Sequence, residues 1–93
     1  MEGNTIISPN GIFKLIMQKD CNLVFYEVHV VLWVADTNGR GEGCYLSLRS
    51  SGLYIFSSVK EVWRFALKNR HSKLVLMAED DGNVYLYDME KHL

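Results

Sequence analysis

Gln18-Lys19-Asp20-Cys21-Asn22-Leu23-Val24-Phe25-Tyr26 changes character residue by residue. Successive side chains of a β-strand point to opposite faces, so a period of two marks a half-buried strand. Taken as one strand, the stretch puts Gln18, Asp20, Asn22, Val24 and Tyr26 on one face. Lys19, Cys21, Leu23 and Phe25 fall on the other, mostly apolar face, which is expected to meet a core. The first face offers two amides, a carboxylate, a small apolar group and a phenol. A strand face that is merely solvated usually carries Thr, Lys or Glu, not a row of short groups with complementary donors and acceptors. That row points to a ligand, and its recurrence further along the chain strengthens the reading.

Composition sets the frame. The 93 residues are 48% hydrophobic with a formal net charge of -1, which predicts one small globular domain, residues 1–93, with a modest core. The balanced charge argues against nucleic acid, whose footprint is a basic stripe. The longest apolar stretch, Val30 to Ala35, is too short to span a bilayer, so no membrane insertion is expected. Glu2, Asn4 and Pro9 interrupt the start of the chain, which does not resemble a signal peptide. Many Val, Ile, Leu, Tyr and Phe beside a single Pro favour strands over helices. Cys21 and Cys44 lie 23 positions apart (44 − 21). They are read either as a disulfide staple or as two free buried thiols, and without histidines at ligand spacing they do not make a zinc site.

In chain order, Thr5-Ile6-Ile7 is a short strand and Pro9-Asn10-Gly11 a turn. Phe13 to Met17 leads into the opening stretch, and Val30 to Ala35 forms the next strand. Asp36 to Gly43 is a loop by composition, followed by strand character at Cys44 to Leu48 and Leu53 to Phe56. Val59 to Trp63 pairs with the latter as a hairpin. Phe65 to Ser72 is polar and irregular, compatible with one helical turn. Leu74 to Met77 and Asn83 to Tyr87 are strands around an Asp80-Asp81-Gly82 turn. Asp20, Ser51 and Asp81 recur at spacings of 31 and 30, and Trp33 and Trp63 are 30 apart. Self-similarity at this period signals stacked or pseudosymmetric units, none of which can bury its apolar face alone. Three such sheets are expected to share one core around both tryptophans.

Gln18-x-Asp20-x-Asn22-x-Val24-x-Tyr26 resembles the QxDxNxVxY motif of the monocot (snowdrop-type, bulb-type) mannose-binding lectins. Leu32-Trp33, Thr37-Asn38-Gly39 and the two cysteines fit the same resemblance, which covers nearly the whole chain. It implies an all-β fold, the β-prism II, with three four-stranded antiparallel sheets related by pseudo-threefold symmetry. It implies a Cys21–Cys44 disulfide, mannose-containing glycans or glycoproteins as partners, no cofactor, and a secreted or vacuolar location with a role in defence or storage. Family members often exchange their last strand between subunits. A third tryptophan has no counterpart here, which counts against the family's usual dimer, while an open sheet edge invites pairing with another copy, so a homo-oligomer is left open.

The chemistry of the motif suits a sugar. Asp20 can only accept hydrogen bonds while the amides of Asn22 and Gln18 can donate, so together they can engage a hydroxyl that does both. Selectivity for mannose over its 2-epimer glucose arises because the wrong epimer leaves polar groups unpaired. Val24 contacts ring carbons, and Tyr26 reaches a further hydroxyl. The second unit sets Arg49, Ser51, Leu53, Ile55 and Ser57 where Gln, Asp, Asn, Val and Tyr stand in the first, and is read as inactive toward mannose. The third keeps more of the pattern in Glu79, Asp81, Asn83 and Tyr87, with Tyr85 in place of Val. It is a second candidate mannose site, weighed against a degenerate repeat retained for its Asp81-Gly82 turn. Glu79, Asp80 and Asp81 lack the spacing of a calcium loop, so no metal is expected. His29, His71 and His92 are scattered with no nucleophile pattern near them, and the chain is not expected to be an enzyme. The competing reading is a protein-interaction module on the same scaffold, in which the sugar sites have decayed.

Overall fold

The computed structural model describes residues 5–70 and 73–88. Nine strands follow one another: β1 (Thr5–Ile7), β2 (Phe13–Met17), β3 (Leu23–Glu27), β4 (Val30–Val34), β5 (Tyr45–Arg49), β6 (Gly52–Phe56), β7 (Glu61–Ala66), β8 (Leu74–Ala78) and β9 (Val84–Asp88). They form three antiparallel sheets ordered β1-β2-β3-β4, β5-β6-β7 and β8-β9. Among the described residues the sheets thus hold four, three and two strands, not four each. There is no helix among these residues: Phe65 and Ala66, expected to open an irregular segment, extend β7 instead. The alternation of Phe65 with Trp63 and its pairing with Leu53 explain why they continue the strand.

The repeat is visible in the pairing. Phe25 faces Trp33 across β3 and β4, and Ile55 faces Trp63 across β6 and β7. Each pairing is followed by a register shift, after Phe25 in one sheet and after Ile55 in the other. A bulge of this kind increases local twist, which helps each sheet curl over a shared interior.

Leu15, Met17, Cys21, Leu23, Phe25, Cys44, Ile55 and Ala78 form that interior, drawn from all three sheets and the Cys44 approach to β5. Cys21 and Cys44 are joined by a disulfide, with Cα atoms 5.3 Å apart, and both are fully buried. The staple therefore ties the first hairpin to the start of the second sheet at the centre of the core.

The tryptophans differ from expectation. Trp63 packs against the core, but Trp33 is 44% exposed and meets Trp63 edge to face at 6.1 Å. Trp33 lies on β4, the outer strand of its sheet, and all five β4 residues are exposed. A cavity of about 470 Å³ opens between the sheets beside it, lined by Leu32, Trp33, Trp63, Phe65, Val84 and Leu86 among others. With only β8 and β9 in the third sheet, nothing among the described residues covers this side of the interior.

Candidate carbohydrate-binding site

The opening stretch is not one strand. Gln18 follows the end of β2, and Leu23 begins β3. The Gln18 N–H donates to the Asn22 carbonyl at 3.0 Å and the Cys21 N–H to the Gln18 carbonyl at 3.1 Å. Cys21 has φ 74°. This is a three-residue hairpin loop, a turn followed by one left-handed residue. The disulfide holds Cys21 in that conformation, which a side chain seldom adopts unaided.

The expectation that five alternate residues share one strand face is therefore corrected, although the hairpin still gathers them. Gln18 and Tyr26 approach from the two strands, and the Gln18 Nε2 donates to the Tyr26 hydroxyl at 2.6 Å. Asp20 caps the loop by accepting the Asn22 N–H at Oδ1, 2.9 Å away. Asn22 is fixed in turn by the Thr37 N–H, which donates to its Oδ1 at 3.1 Å. Thr37, only 2% exposed, also donates from Oγ1 to the Cys21 carbonyl at 2.6 Å. The Gly39 N–H donates to the Asp20 carbonyl at 2.7 Å. Thus the Thr37-Asn38-Gly39 loop after β4 buttresses the hairpin from behind. The sequence signalled that loop only as a neighbour, because its role depends on a hydrogen bond reaching 15 residues back.

These bonds use one lone-pair site of Asp20 and the carbonyl of the Asn22 amide. They leave the second Asp20 oxygen as an acceptor, the Asn22 NH2 as a donor and the Tyr26 hydroxyl hydrogen free to donate. Val24 follows on the same hairpin, paired with Ile16, and is 3% exposed. The result is a hairpin end whose polar groups are fixed by bonds on their far sides.

The third unit repeats the same loop with opposite polarity. The Glu79 N–H donates to the Asn83 carbonyl at 3.0 Å, the Gly82 N–H to the Glu79 carbonyl at 3.1 Å, and Gly82 has φ 84°. The Asn83 N–H donates to Asp81 Oδ1 at 3.0 Å, as in the first loop. However, Tyr87 donates its hydroxyl hydrogen to Glu79, and Tyr85 donates its own to Asp81. The two rings stack with centroids 5.7 Å apart. The bond to Glu79 pushes the Tyr87 phenol up to about 12, and the bond from Tyr85 lowers the Asp81 carboxyl. Glu79, Asp81, Asn83 and Tyr87 are brought together as expected, with their carboxylates already engaged by their own tyrosines.

The second unit departs from the expected alignment. Arg49 pairs with Gly52, so the β5–β6 loop is one residue shorter than the other two. A one-residue change moves every following side chain to the opposite face. By register Leu53 and Ile55 consequently turn inward, and Tyr54 and Phe56 take the places held by Val24 and Tyr26, Tyr54 being covered there to 8% exposure. Gly52 is required here: at φ 142° an added Cβ would lie 2.1 Å from the Phe65 carbonyl oxygen. The outward residues are thus Arg49, Tyr54 and Phe56, in place of the expected Arg49, Ser51, Leu53, Ile55 and Ser57.

Among the described residues no group of three or more His, Cys, Asp or Glu is placed to hold a metal ion. His29 is exposed in the β3–β4 turn, and His71 and His92 lie outside the described residues.

Comparison with known proteins agrees with this architecture. No protein-family model matches the chain. It is 37% identical over 76 residues to the mannose-specific lectin CEA of Colocasia esculenta, covering 80% of this chain. The chain spans 28% of that protein's length. A crystal structure of monomeric monocot mannose-binding lectins from Gastrodia elata superposes with a TM-score of 0.84 at 31% identity, over 98% of this chain and 80% of that one. The mannose-specific agglutinin of snowdrop (Galanthus nivalis) bulbs, in complex with methyl-α-D-mannoside, gives a TM-score of 0.83 at 28% identity, over 99% and 90% of the two chains. In sequence and in its three-sheet β-prism II fold, the chain belongs to the monocot bulb-type mannose-binding lectin family.

Proposed function

We propose that the chain is a non-catalytic lectin that binds terminal α-mannose through Gln18, Asp20, Asn22 and Tyr26, with Val24 against the ring carbons. The observation that carries this reading is the set of unspent groups in the first loop. Asp20 keeps an acceptor, while Asn22 and Tyr26 keep donors, all held by bonds on their far sides. An axial 2-hydroxyl fits between an acceptor and a donor so placed, and an equatorial one leaves both unpaired. A site of so few groups supports binding of one sugar at about the millimolar level, roughly -4 kcal/mol. Higher avidity for glycoproteins then comes from several sites held together, and the edge of β4, unpaired among the described residues, supports pairing of copies. The third loop is a poorer mannose site, because its carboxylates already accept from Tyr85 and Tyr87.

The test is an NMR titration of labelled protein with methyl α-mannoside, with methyl α-glucoside as control. Mannose-selective shifts centred on residues 18–26 are expected, with Asp20→Asn weakening them about tenfold or more while the spectrum stays folded. Asn keeps the acceptor that caps the loop and removes the charge, so loss of binding reports recognition. Absence of shifts up to about tens of millimolar sugar would overturn the proposal. A second reading, a protein-interaction module on the same scaffold, draws on the exposed apolar face of β4. It gains if an Asp20→Asn protein retains all of its binding to a glycoprotein.

A further inference from the structure

The outward face of the second sheet has chemistry of its own. Arg49 lies over it, with its guanidinium carbon 4.5 Å from the Phe56 ring centroid and 5.9 Å from that of Tyr54. Its partner across the ladder is Gly52, which has no side chain to obstruct that path. Arg49 Nε donates to Ser47 Oγ at 3.2 Å, so the plane of the guanidinium is held from both the ring side and the Nε side. No ion pair engages Arg49 among the described residues, and its two Nη groups have no acceptor there. Tyr45 stacks on Phe56 at 5.8 Å, extending the aromatic surface beyond the guanidinium.

We propose that this face binds an acidic pyranose, a sugar ring carrying a carboxylate. A guanidinium stacked on an aromatic ring and fixed at Nε presents its Nη donors as a preorganised fork, the geometry that grips a carboxylate with two parallel hydrogen bonds. Phe56 itself lies under Arg49 and against Tyr54, so Tyr45, stacked on Phe56 in turn, supplies the apolar surface that a pyranose presses its C–H face against. Arg70 donates to Ser50 at the turn and adds positive charge at that end, whereas Arg64, across the ladder from Tyr54, is already ion-paired with Glu61 at 3.0 Å. The corresponding end of the third sheet carries Glu79, Asp80 and Asp81 instead, which repel the same ligand. The inference concerns a separate face and does not rest on the mannose reading.

The experiment titrates labelled protein with methyl α-galacturonoside, neutral methyl α-galactoside and acetate at constant ionic strength. Uronoside-selective shifts at Arg49 Nε, Tyr54 and Phe56 are expected, larger than those from acetate and absent with the galactoside. Arg49→Gln should weaken the uronoside effect about tenfold or more. Arg49→Lys, which keeps the charge but loses the fork, should weaken it while leaving the salt dependence. Equal shifts from acetate would overturn the sugar assignment. Shifts surviving in Arg49→Gln, or none at all, would overturn the site. The dispersion of the amide spectrum confirms that each variant is folded, and methyl α-mannoside added to the same samples reports the first loop independently.

Discussion

At the scale of single residues, the first and third loops differ in the direction of the amide- or carboxylate-to-tyrosine hydrogen bond and in a second bond, from Tyr85 to Asp81, that Val24 cannot make. Gln18 donates to the Tyr26 oxygen and leaves the phenol hydrogen for a ligand; Glu79 takes that hydrogen from Tyr87. One amide exchanged for a carboxylate therefore turns an outward donor inward. The identities of all these residues were legible in the sequence, whereas the inward engagement of the third set was not, since it depends on side-chain geometry across a hairpin. The same bond makes a pH prediction. Tyr87 is raised from its ordinary value to about 12, chiefly by hydrogen bonding to Glu79. A group whose folded pKa is raised contributes stability that is present below its unfolded value near 10 and is lost as pH rises through about 12. In a pH titration followed by tyrosine side-chain NMR, Tyr87 should ionise well after an ordinary phenol. Glu79→Gln should bring it back toward 10, and a Tyr87 unmoved by that change would contradict the assigned cause.

Turns govern the elements. Period-two alternation located strands at β2, β4, β5, β6, β8 and β9 with small differences at their ends, and only the second half of its Gln18–Tyr26 strand, from Leu23 on, is β3. It could not see that Gln18 to Tyr26 crosses a turn, because a tight three-residue loop with one left-handed residue leaves little mark in hydrophobic pattern. Nor could it see the shortened β5–β6 loop, which shifts the strand by one residue relative to a repeat counted from Asp20 to Ser51. The spacing of the tryptophans, 30 residues, was the better ruler, because both pair with core residues inside strands. The β3–β4 turn carries an avoidable cost. Val28, a β-branched residue, has φ 54° there, and its side chain is 56% exposed. Val28→Gly should relieve backbone strain and stabilise by about 1 kcal/mol, net of the entropy lost by glycine on folding. Thermal unfolding should then shift upward by roughly 4–8 °C, and a lower midpoint would show that Val28 contributes packing that exposure alone does not reveal.

The whole molecule is held by a small core with a covalent tie through it. Cys21 and Cys44 close a loop spanning 23 positions, and constraining the unfolded chain in this way is worth roughly 3–4 kcal/mol. Urea unfolding with and without reductant should differ by about that amount. Because the bond also pins the left-handed Cys21, reduction should weaken the mannoside binding proposed for the first loop before the sheets melt. Equal midpoints in the two conditions would show that the core closes without the tie. The exposed β4 strand and the apolar cavity beside Trp33 mark the opposite, weakly closed side of the assembly.

The sequence by itself determined the all-β class, the threefold repeat, the family resemblance and the residues of the first loop. Those readings rest on side-chain identity and spacing along the chain, which local alternation and a five-residue motif preserve. Tertiary structure decided the rest. It set the disulfide against two free thiols, exposed Trp33 despite its apolar surroundings, aimed Tyr54 and Phe56 outward beneath Arg49, and closed Tyr87 onto Glu79. Each of these depends on loop length or on contacts between strands distant in sequence, and neither quantity is written in the period of the pattern.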